Sequence, residues 1–384
     1  MGGRDRATRR TATPFELFFD LVFVVSVSFA AENLHDLQLE GDIWSAFGSY
    51  AMVFFAIWWA WMNFTWFATA FDTDDWLYRL TTIAQMGGAL VLAAGTESAM
   101  RHGDFTVVTA GYVVMTLAIV SQWTRAAIQS EQYRQACIRH AVGASIVQIA
   151  WVLRLALPAG WGVPAFFVLV AAELAVPVIA DHRNWTPSNP HHVAERYGLF
   201  TLIVLGEGLL ASAKAIIAAI DASEHVAPLI VIAGSGLIIV AAMWWLYFAA
   251  PIADGFTTYR SSFLYGYAHY LVFAAAGAVS AGLETAVTVQ TGHPTAGAFA
   301  PTLLVPTLVF TVAVWLMAVR RHMPLGANWA SAVALAALGA AAVAPLNPVG
   351  LTVATAAVLT SLVIVVVITV PTEINGADPT SGVG

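Results

Sequence analysis

Long apolar segments, separated by short polar stretches, follow one another along almost the whole chain. Within each segment the side chains are apolar nearly all round the helix axis, as in helices that contact lipid or the interior of a bundle. A helix needs about 20 mostly apolar residues to cross a bilayer. The pattern predicts about twelve such helices, at roughly residues 14–33, 43–70, 79–99, 105–125, 137–157, 162–181, 193–219, 226–249, 260–283, 299–319, 327–345 and 349–370.

The composition favours a membrane protein. Charged residues make up 10% of the 384 residues and hydrophobic residues 59%, whereas a soluble domain has about 25% charged residues. The expected fold is therefore an all-α polytopic membrane protein with about twelve transmembrane helices. Its main partner is the lipid bilayer, and the net charge of −7, spread over many carboxylates, indicates no other.

Several functions are disfavoured by what the sequence lacks. With one cysteine, Cys137, the chain has neither an internal disulfide nor a four-cysteine metal site. No basic patch interleaved with aromatic residues indicates nucleic-acid binding. No set of nucleophile, base and acid is placed for catalysis. We therefore expect no enzyme activity, no cofactor and no metal.

Two parts of the chain resemble each other, which indicates an internal repeat. The stretch YRLTTIAQMGGALVLAA at 78–94 aligns with YRSSFLYGYAHYLVFAA at 259–275. A pair of tryptophans precedes each stretch, at Trp58-Trp59 and at Trp244-Trp245. With an even number of spans in each repeat the two halves are parallel, an arrangement that transporters often have.

The repeat and the arginines together predict the domain organisation and the orientation. Two six-helix halves occupy residues 13–182 and 183–371, and the short polar tails at 1–12 and 372–384 are expected to be disordered. With the amino terminus in the cytoplasm, most arginines fall at the cytoplasmic face and only Arg101 lies clearly outside. Because cytoplasmic loops are rich in Lys and Arg, both termini are predicted to be cytoplasmic.

Two carboxylates lie one turn apart in the first predicted span, PFELFFDLVFV. Thr13, Pro14 and Glu16 have the spacing of a capping box, which gives Glu16 a structural role at the helix start. Asp20 lies about 6 Å deeper and has no such role. A carboxylate at that depth is costly, so Asp20 is expected to face the interior and to have a partner. It belongs either to a buried ion pair or hydrogen bond, or to a polar pathway.

A second set of charges lies in the seventh predicted span, AERYGLFTLIVLGEGLL. Glu195 and Arg196 fall near its cytoplasmic end, and Glu207 lies about 18 Å further along the axis, near the middle of the membrane. The flanking glycines at 206 and 208 allow another helix or a ligand to approach Glu207 closely. Glu207 is either a functional group or a protonated acid bonded to a neighbouring carbonyl.

Other polar residues within predicted spans add to the candidates. Glu173 lies in the sixth span and His269 in the ninth, where it relays protons or is simply a packed, hydrogen-bonded side chain. Arg154 is a predicted cationic partner for one of the acids. Three histidines are expected to be solvated loop residues and not metal ligands: His182, His191 and His192.

At PFELFFDLVFV (14–24) and AERYGLFTLIVLGEGLL (194–210) the chain resembles the bacterial low-temperature-requirement A family, and the resemblance covers about residues 10–370. The matching positions are Glu16, Phe18, Phe19, Asp20, Glu195, Arg196, Gly206 and Glu207. The family usually has a serine after the second glutamate, where this chain has Gly208, so one hydrogen bond beside Glu207 is missing. The resemblance implies a multi-pass inner-membrane protein without implying a substrate.

Two hypotheses of function follow. In the first, the protein is a proton-linked transporter or permease for an unknown small solute. Asp20, Glu207 and His269 then form an interior polar site, and Arg154 or Arg196 compensates the charge. In the second, it is a non-transporting scaffold or stress-related protein whose buried acids are structural. An ion channel would differ from a carrier by passive flux.

Overall fold

The computed structural model describes residues 2–3, 11–72, 74–158, 160–182, 185–187, 189–221, 226–249, 258–293, 299–341 and 346–370. The tails predicted to be disordered therefore lie outside the described residues, apart from 2–3 and 11–12.

Helices contain nearly all of the described residues. The α-helices are α1 (Pro14–Glu40), α2 (Ile43–Ala70), α3 (Trp76–Ala94), α4 (Thr96–His102), α5 (Thr106–Gln129), α6 (Arg134–Arg154), α7 (Gly162–Asp181), α8 (Pro190–Asp221), α9 (Val226–Phe248), α10 (Tyr259–Gln290), α11 (Ala300–Met317), α12 (Leu325–Ala341) and α13 (Pro348–Thr369). A 3-10 turn spans Val319–His322, and a two-residue antiparallel pair joins β1 (Gly2–Gly3) to β2 (Phe71–Asp72).

The all-helical membrane fold is confirmed, with a smaller count of clear spans than predicted. Ten helices within the described residues are long and apolar enough to cross a membrane, whereas about twelve were expected. Helix α12 has 17 residues and is short, and α3 is not among the ten. The predicted segment 79–99 is also divided, because α3 ends before Gly95 and α4 begins after it.

The chain forms two compact units, and both are discontinuous in sequence. Unit 1 contains Met1–Ala30, Ser49–Tyr197 and Phe256–Phe263. Unit 2 contains Ala31–Gly48, Gly198–Gly255 and Leu264–Gly384. In unit 1, α5 packs against α3 and α6, and α6 packs against α7. In unit 2, α13 packs against α9 and α12, and α11 contacts α12. The two predicted parallel halves stay a prediction.

Helices α3 and α5 cross at a pair of glycines. A Cβ atom at Gly111 would lie 2.5 Å from the carbonyl oxygen of Gly88, and one at Gly88 would lie 2.8 Å from the carbonyl oxygen of Gly111. About three turns further along α5, Gln122 donates to Thr82 of α3 at 3.1 Å and accepts from Gln85 at 3.4 Å. Small residues thus allow close backbone contact and amide hydrogen bonds connect the helices, as in membrane helix pairs generally.

We expect Gly111→Ala to destabilise unit 1 by about 1–3 kcal/mol, since the new methyl group meets backbone that cannot rotate away. The sole cysteine, Cys137 on α6, is fully buried, so the temperature at which a thiol-reactive dye labels it reports unfolding. Gly87→Ala is the matched control, because a Cβ atom there has no neighbour within 4 Å. Equal labelling temperatures for the two variants would contradict the prediction.

The start of α3 is fixed by Asp75. Its carboxylate accepts the backbone N–H of Tyr78 at 2.9 Å, which caps the helix. It also accepts two hydrogen bonds from Arg125 of α5, one of them at 2.9 Å from Nη1. These hydrogen bonds from Arg125 stabilise the charged form and lower the pKa of Asp75 to about 2. The cap of α3 is therefore also a contact with α5.

Candidate functional site

Four buried ionisable side chains meet where the first turns of α1 and α8 lie in unit 1. Glu16 and Asp20 lie on one face of α1 because they are four residues apart, and His192 and Arg196 share a face of α8 for the same reason. Their exposed fractions are between 0% and 2%. We call these four residues the α1–α8 ion cluster. The cluster brings together the two sequence motifs, although the motifs are separated by more than 150 residues.

Asp20 and Arg196 form a bidentate pair. The Nη2 atom of Arg196 lies 2.5 Å from Oδ1 of Asp20, and its Nε atom donates to Oδ2 at 3.2 Å. The indole N–H of Trp61, on α2, donates to Oδ1 at 2.7 Å. Both carboxylate oxygens thus accept hydrogen bonds, which is the arrangement that makes a buried ion pair tolerable.

Glu16 closes the start of α1 and also contacts the cluster. Its Oε2 atom accepts the backbone N–H of Thr13 at 2.8 Å and the Thr13 hydroxyl at 2.9 Å, while the Glu16 N–H donates to the Thr13 hydroxyl. The predicted capping box is therefore confirmed. Its Oε1 atom lies 3.6 Å from Nη1 of Arg196, so the same carboxylate also shares the arginine's charge.

His192 is held on both sides of its ring. Its Nδ1 atom lies 3.1 Å from the hydroxyl oxygen of Thr69, and that hydroxyl donates to the carbonyl oxygen of Thr65 at 2.8 Å. A hydroxyl has one proton and a carbonyl only accepts, so Nδ1 must be the donor to Thr69. The Nε2 atom lies 3.5 Å from Oε2 of Glu16.

The second ring nitrogen of His192 faces Glu16, with its Nε2 atom 3.5 Å from Oε2. With Nδ1 protonated, a neutral imidazole would place the lone pair of Nε2 against a carboxylate oxygen, which is repulsive. Oε2 of Glu16 already accepts two hydrogen bonds from Thr13, so it is not the protonated atom. With a proton on Nε2 of His192, two carboxylates and two cations would give the cluster a net charge of zero.

Aromatic rings enclose the cluster. The guanidinium carbon of Arg196 lies 6.0 Å from the ring centroid of Trp61 and 5.8 Å from that of Phe64. Phe64 stacks on Phe19 of α1 with centroids 3.8 Å apart. Such rings exclude water and favour a cation over their faces. Glu195 lies at the edge, half-buried, where it accepts the backbone N–H of Ala12 at 3.2 Å.

Glu173 forms a second polar site in unit 1, on α7. Its carboxylate accepts the indole N–H of Trp59 at 2.7 Å and that of Trp151 at 3.1 Å, and the hydroxyl of Tyr112 lies 3.5 Å away. Glu173 is buried, with 5% of its surface exposed. Helices α2, α5 and α6 thus all supply a group to one acid of α7, which makes Glu173 a centre of packing in unit 1.

Arg154 does not have the predicted acid partner. Its Nε atom donates to the carbonyl oxygen of Gly162 at 2.9 Å, and its guanidinium lies over aromatic rings, 4.8 Å from the centroid of Phe105. No ion pair joins it to an acid in the part of the chain that the structure describes. Of the two arginines proposed to compensate the acids, Arg196 contacts them.

The other two predicted site residues lie in unit 2. His269, on α10, donates from Nδ1 to the carbonyl oxygen of Tyr265 at 2.7 Å, and its Nε2 lies 3.1 Å from the hydroxyl of Tyr247. Both ring nitrogens are satisfied in the neutral form, which favours the packed role over the relay. Glu207 is half-buried on α8. A Cβ atom at the neighbouring Gly208 would lie 2.6 Å from Val240, so this glycine permits close packing of α9.

His192 is the member of the cluster that sequence reasoning missed, and its interpretation as a solvated loop residue is wrong. The side chain is 1% exposed and lies in the first turn of α8. A signal for this was available in Asn189-Pro190, a typical helix start with Pro in the first position. The Asn189 side chain accepts the backbone N–H groups of His191 and His192, as a helix cap does. His191, by contrast, is exposed.

Comparisons with known proteins agree with the two motifs. A family model described as bacterial low temperature requirement A protein matches residues 11–368, nearly the whole chain. An uncharacterized protein of Rhizobium meliloti (strain 1021) is 26% identical over 265 residues, which are 64% of this chain and 60% of that relative. This chain thus matches less than two thirds of the relative's length. Within the described residues, no group of three or more His, Cys, Asp or Glu is placed to hold a metal ion.

Proposed function

This chain belongs to the bacterial low-temperature-requirement A (LtrA) family, and we propose that it is a proton-linked transporter or permease of the bacterial inner membrane. Its solute is a small molecule. Ten apolar helices within the described residues indicate a multi-pass membrane protein.

The observation that carries this proposal is the buried contact between His192 and Glu16, whose Nε2 and Oε2 atoms lie 3.5 Å apart. Imidazole is the side chain whose charge changes most readily near neutral pH. Here it lies against a carboxylate inside an apolar helical unit, and intramembrane Asp, Glu and His are the groups that proton pathways use. The α1–α8 ion cluster is therefore the proposed proton site.

The charge balance of the cluster supplies a coupling mechanism. With the proton bound, two anions face two cations and the net charge is zero. After the proton leaves His192, Glu16 and Asp20 share one cation, Arg196, and the buried cluster has a net charge of −1. An uncompensated buried charge is costly. Release of the proton thus favours rearrangement of α1 against α8, or entry of a positively charged group.

The proposal includes a topology of twelve spans. Helices α3 and α12 then cross the membrane along with the ten clear spans, both termini are cytoplasmic, and the two six-helix halves are parallel. The distribution of arginines and the repeat of the segments at 78–94 and 259–275 support this topology. Glu207 and His269 are proposed as further polar positions on the solute pathway of unit 2.

The test is proton flux into liposomes. Purified protein is reconstituted, a membrane potential is imposed with potassium and valinomycin, and a trapped dye reports the internal pH. We expect wild-type protein to conduct protons and His192→Gln to lose at least nine tenths of that flux. His191→Gln is the matched control, because it changes the adjacent, exposed histidine of the same helical turn.

Each variant must first be shown to be folded by the labelling temperature of Cys137. Flux in a folded His192→Gln variant equal to that of His191→Gln would exclude the cluster as the proton path. Asp20→Asn and Glu207→Gln then locate the path: loss of flux in the first assigns it to the cluster, and loss in the second extends it to unit 2.

The scaffold hypothesis is the second candidate, and two observations favour it. Asp20 is bound by Arg196 and Trp61, and His269 has partners at both ring nitrogens, as structural polar groups do. Under this hypothesis, folded wild-type protein conducts no protons. Removing the side chain of Asp20 or Arg196 then prevents folding.

A further inference from the structure

A groove lies between the end of α5 and the start of α6 in unit 1, apart from the α1–α8 ion cluster. It encloses about 560 Å³, within the range of about 300–1,000 Å³ that is typical of sites for small molecules. Apolar side chains form most of its lining, and among the described residues that line it one is charged, Arg134. The groove therefore offers room for an apolar chain and one contact for an anion.

Small side chains keep the groove open between the two helices. Ala127 of α5 and Ala141 of α6 are buried and line its floor, whereas Ile128 and Ile138 line its edges and are exposed. Arg134, Ile138 and Ala141 share one face of α6, because they follow one another at spacings of four and three residues. The same face of α6 thus carries the cation and the apolar lining.

The groove faces the hydrocarbon of the membrane near the membrane surface. Helices α5 and α6 are both long and apolar enough to cross a membrane, and the connection at 130–133 marks the end of each. Ile128, at the edge of the groove, is 73% exposed. An exposed apolar side chain on a membrane span contacts lipid chains and not water. The occupant suited to this position therefore has a hydrocarbon chain and a polar headgroup.

Arg134 is the first residue of α6 and lies at the end of the groove that is next to this connection. Its Nε atom donates to the carbonyl oxygen of Ala127 at 3.2 Å, which holds the guanidinium beside the groove. This bond uses one of the five N–H groups. The Nη2 atom lies 4.0 Å from Oε1 of Glu131, whose side chain is 93% exposed, and such an exposed pair contributes little. Most of the N–H groups are thus left for an anion.

We propose that this groove binds one anionic phospholipid, with an acyl chain between α5 and α6 and the phosphate on Arg134. Basic pockets between membrane helices recognise anionic headgroups, and the guanidinium fork matches two phosphate oxygens. A zwitterionic lipid has the same chains and phosphate, but the cation of its headgroup offsets the charge. Arg134 therefore selects the anionic lipid. This site does not depend on the proton-linked function proposed above.

Lipid selection is tested by native mass spectrometry of the purified full-length protein. Delipidated protein in a neutral detergent receives equal amounts of phosphatidylglycerol and phosphatidylcholine with identical acyl chains, and the lipid that stays bound is identified by its mass. We expect the wild type to retain phosphatidylglycerol in preference to phosphatidylcholine by about fivefold, the effect of one arginine near the membrane surface. Equal retention of the two lipids would overturn the proposal.

Two variants assign the headgroup and the chain to their contacts. Arg134→Gln should lose the preference for phosphatidylglycerol while retaining phosphatidylcholine as the wild type does. Thr124→Trp places an indole in the groove from an exposed position of α5, so the retention of both lipids should be lost. The groove variant tests the site without altering Arg134.

The matched control is Arg139→Gln. It removes the same charge from α6, but Arg139 donates to the carbonyl oxygen of Ala180 and does not line the groove. We expect this variant to keep the preference of the wild type. Equal lipid preferences in Arg134→Gln and Arg139→Gln would show that Arg134 does not bind the headgroup.

Two other occupants would overturn the proposal. If inorganic phosphate raises the labelling temperature of Cys137 as much as phosphatidylglycerol does, and Arg134→Gln abolishes both effects, Arg134 binds a free anion. If the delipidated wild type has the mass of a dimer and Thr124→Trp is a monomer, the groove binds a second copy of the chain. We expect a phosphatidylglycerol effect without a phosphate effect, and the same oligomeric state in both proteins.

Discussion

Arg196→Gln is expected to lower the free energy of unfolding by about 3–5 kcal/mol, because it removes the guanidinium that both Asp20 and Glu16 contact. The two carboxylates would then be buried with His192 as the one remaining group of the cluster that can carry a positive charge. Glutamine still donates a hydrogen bond to Asp20, but it brings no charge. The variant should label at Cys137 at a clearly lower temperature than the wild type.

A double-mutant cycle separates the interaction energy of the Asp20–Arg196 pair from the cost of leaving a carboxylate buried without its partner. Asp20→Asn in the Arg196→Gln background should recover part of the loss, since it removes one of the uncompensated anions. Arg134→Gln is the control, because its ion pair with Glu131 is exposed, and a change within about 0.5 kcal/mol is expected. If Arg196→Gln is as stable as Arg134→Gln, the cluster does not hold α1 to α8.

The second large effect is expected at Glu173. Glu173→Leu removes the acceptor of two buried indole N–H groups, those of Trp59 and Trp151. Each orphaned donor costs about 1–3 kcal/mol, so the free energy of unfolding should fall by at least about 2 kcal/mol. The loss is measured by the reactivity of Cys137 on α6, the helix that also carries Trp151.

Adding Trp59→Phe to the Glu173→Leu variant tests whether orphaned indole N–H groups cause the loss of stability. The phenylalanine has no N–H group, so the double variant should lose less stability than the two single losses added together. Additive losses would show that the hydrogen bonds to Glu173 contribute little, and that the size of the side chains explains the effect.

The hydrophobic pattern predicted the helices well because the bilayer dictates their length and composition. Each of the twelve predicted segments contains a helix. The break at Gly95 was not predictable, since it accompanies a tertiary contact. A Cβ atom at Gly95 would lie 2.7 Å from the backbone nitrogen of Val108. Val108 belongs to the next long helix, α5, so no local sequence pattern around Gly95 indicates this contact.

The candidate site was predicted in part, for reasons that differ between residues. The capping role of Glu16 is local and follows from its spacing to Thr13. The need of Asp20 for a partner follows from the cost of burial, but the choice between Arg154 and Arg196 depends on which helices touch. The role of His192 was missed because the helix start was placed three residues too late, at 193 and not at Pro190.

The sequence separation of Asp20 and Arg196 has a consequence for the synthesis of the protein. The pair is 176 residues apart, so at about 5–20 residues per second Arg196 is made about 10 to 35 s after Asp20. During that interval α1 carries its carboxylates without their cations, and its entry into the bilayer is penalised. The ion pair therefore forms only after α8 has been made, and a chain truncated before α8 leaves Asp20 without its arginine.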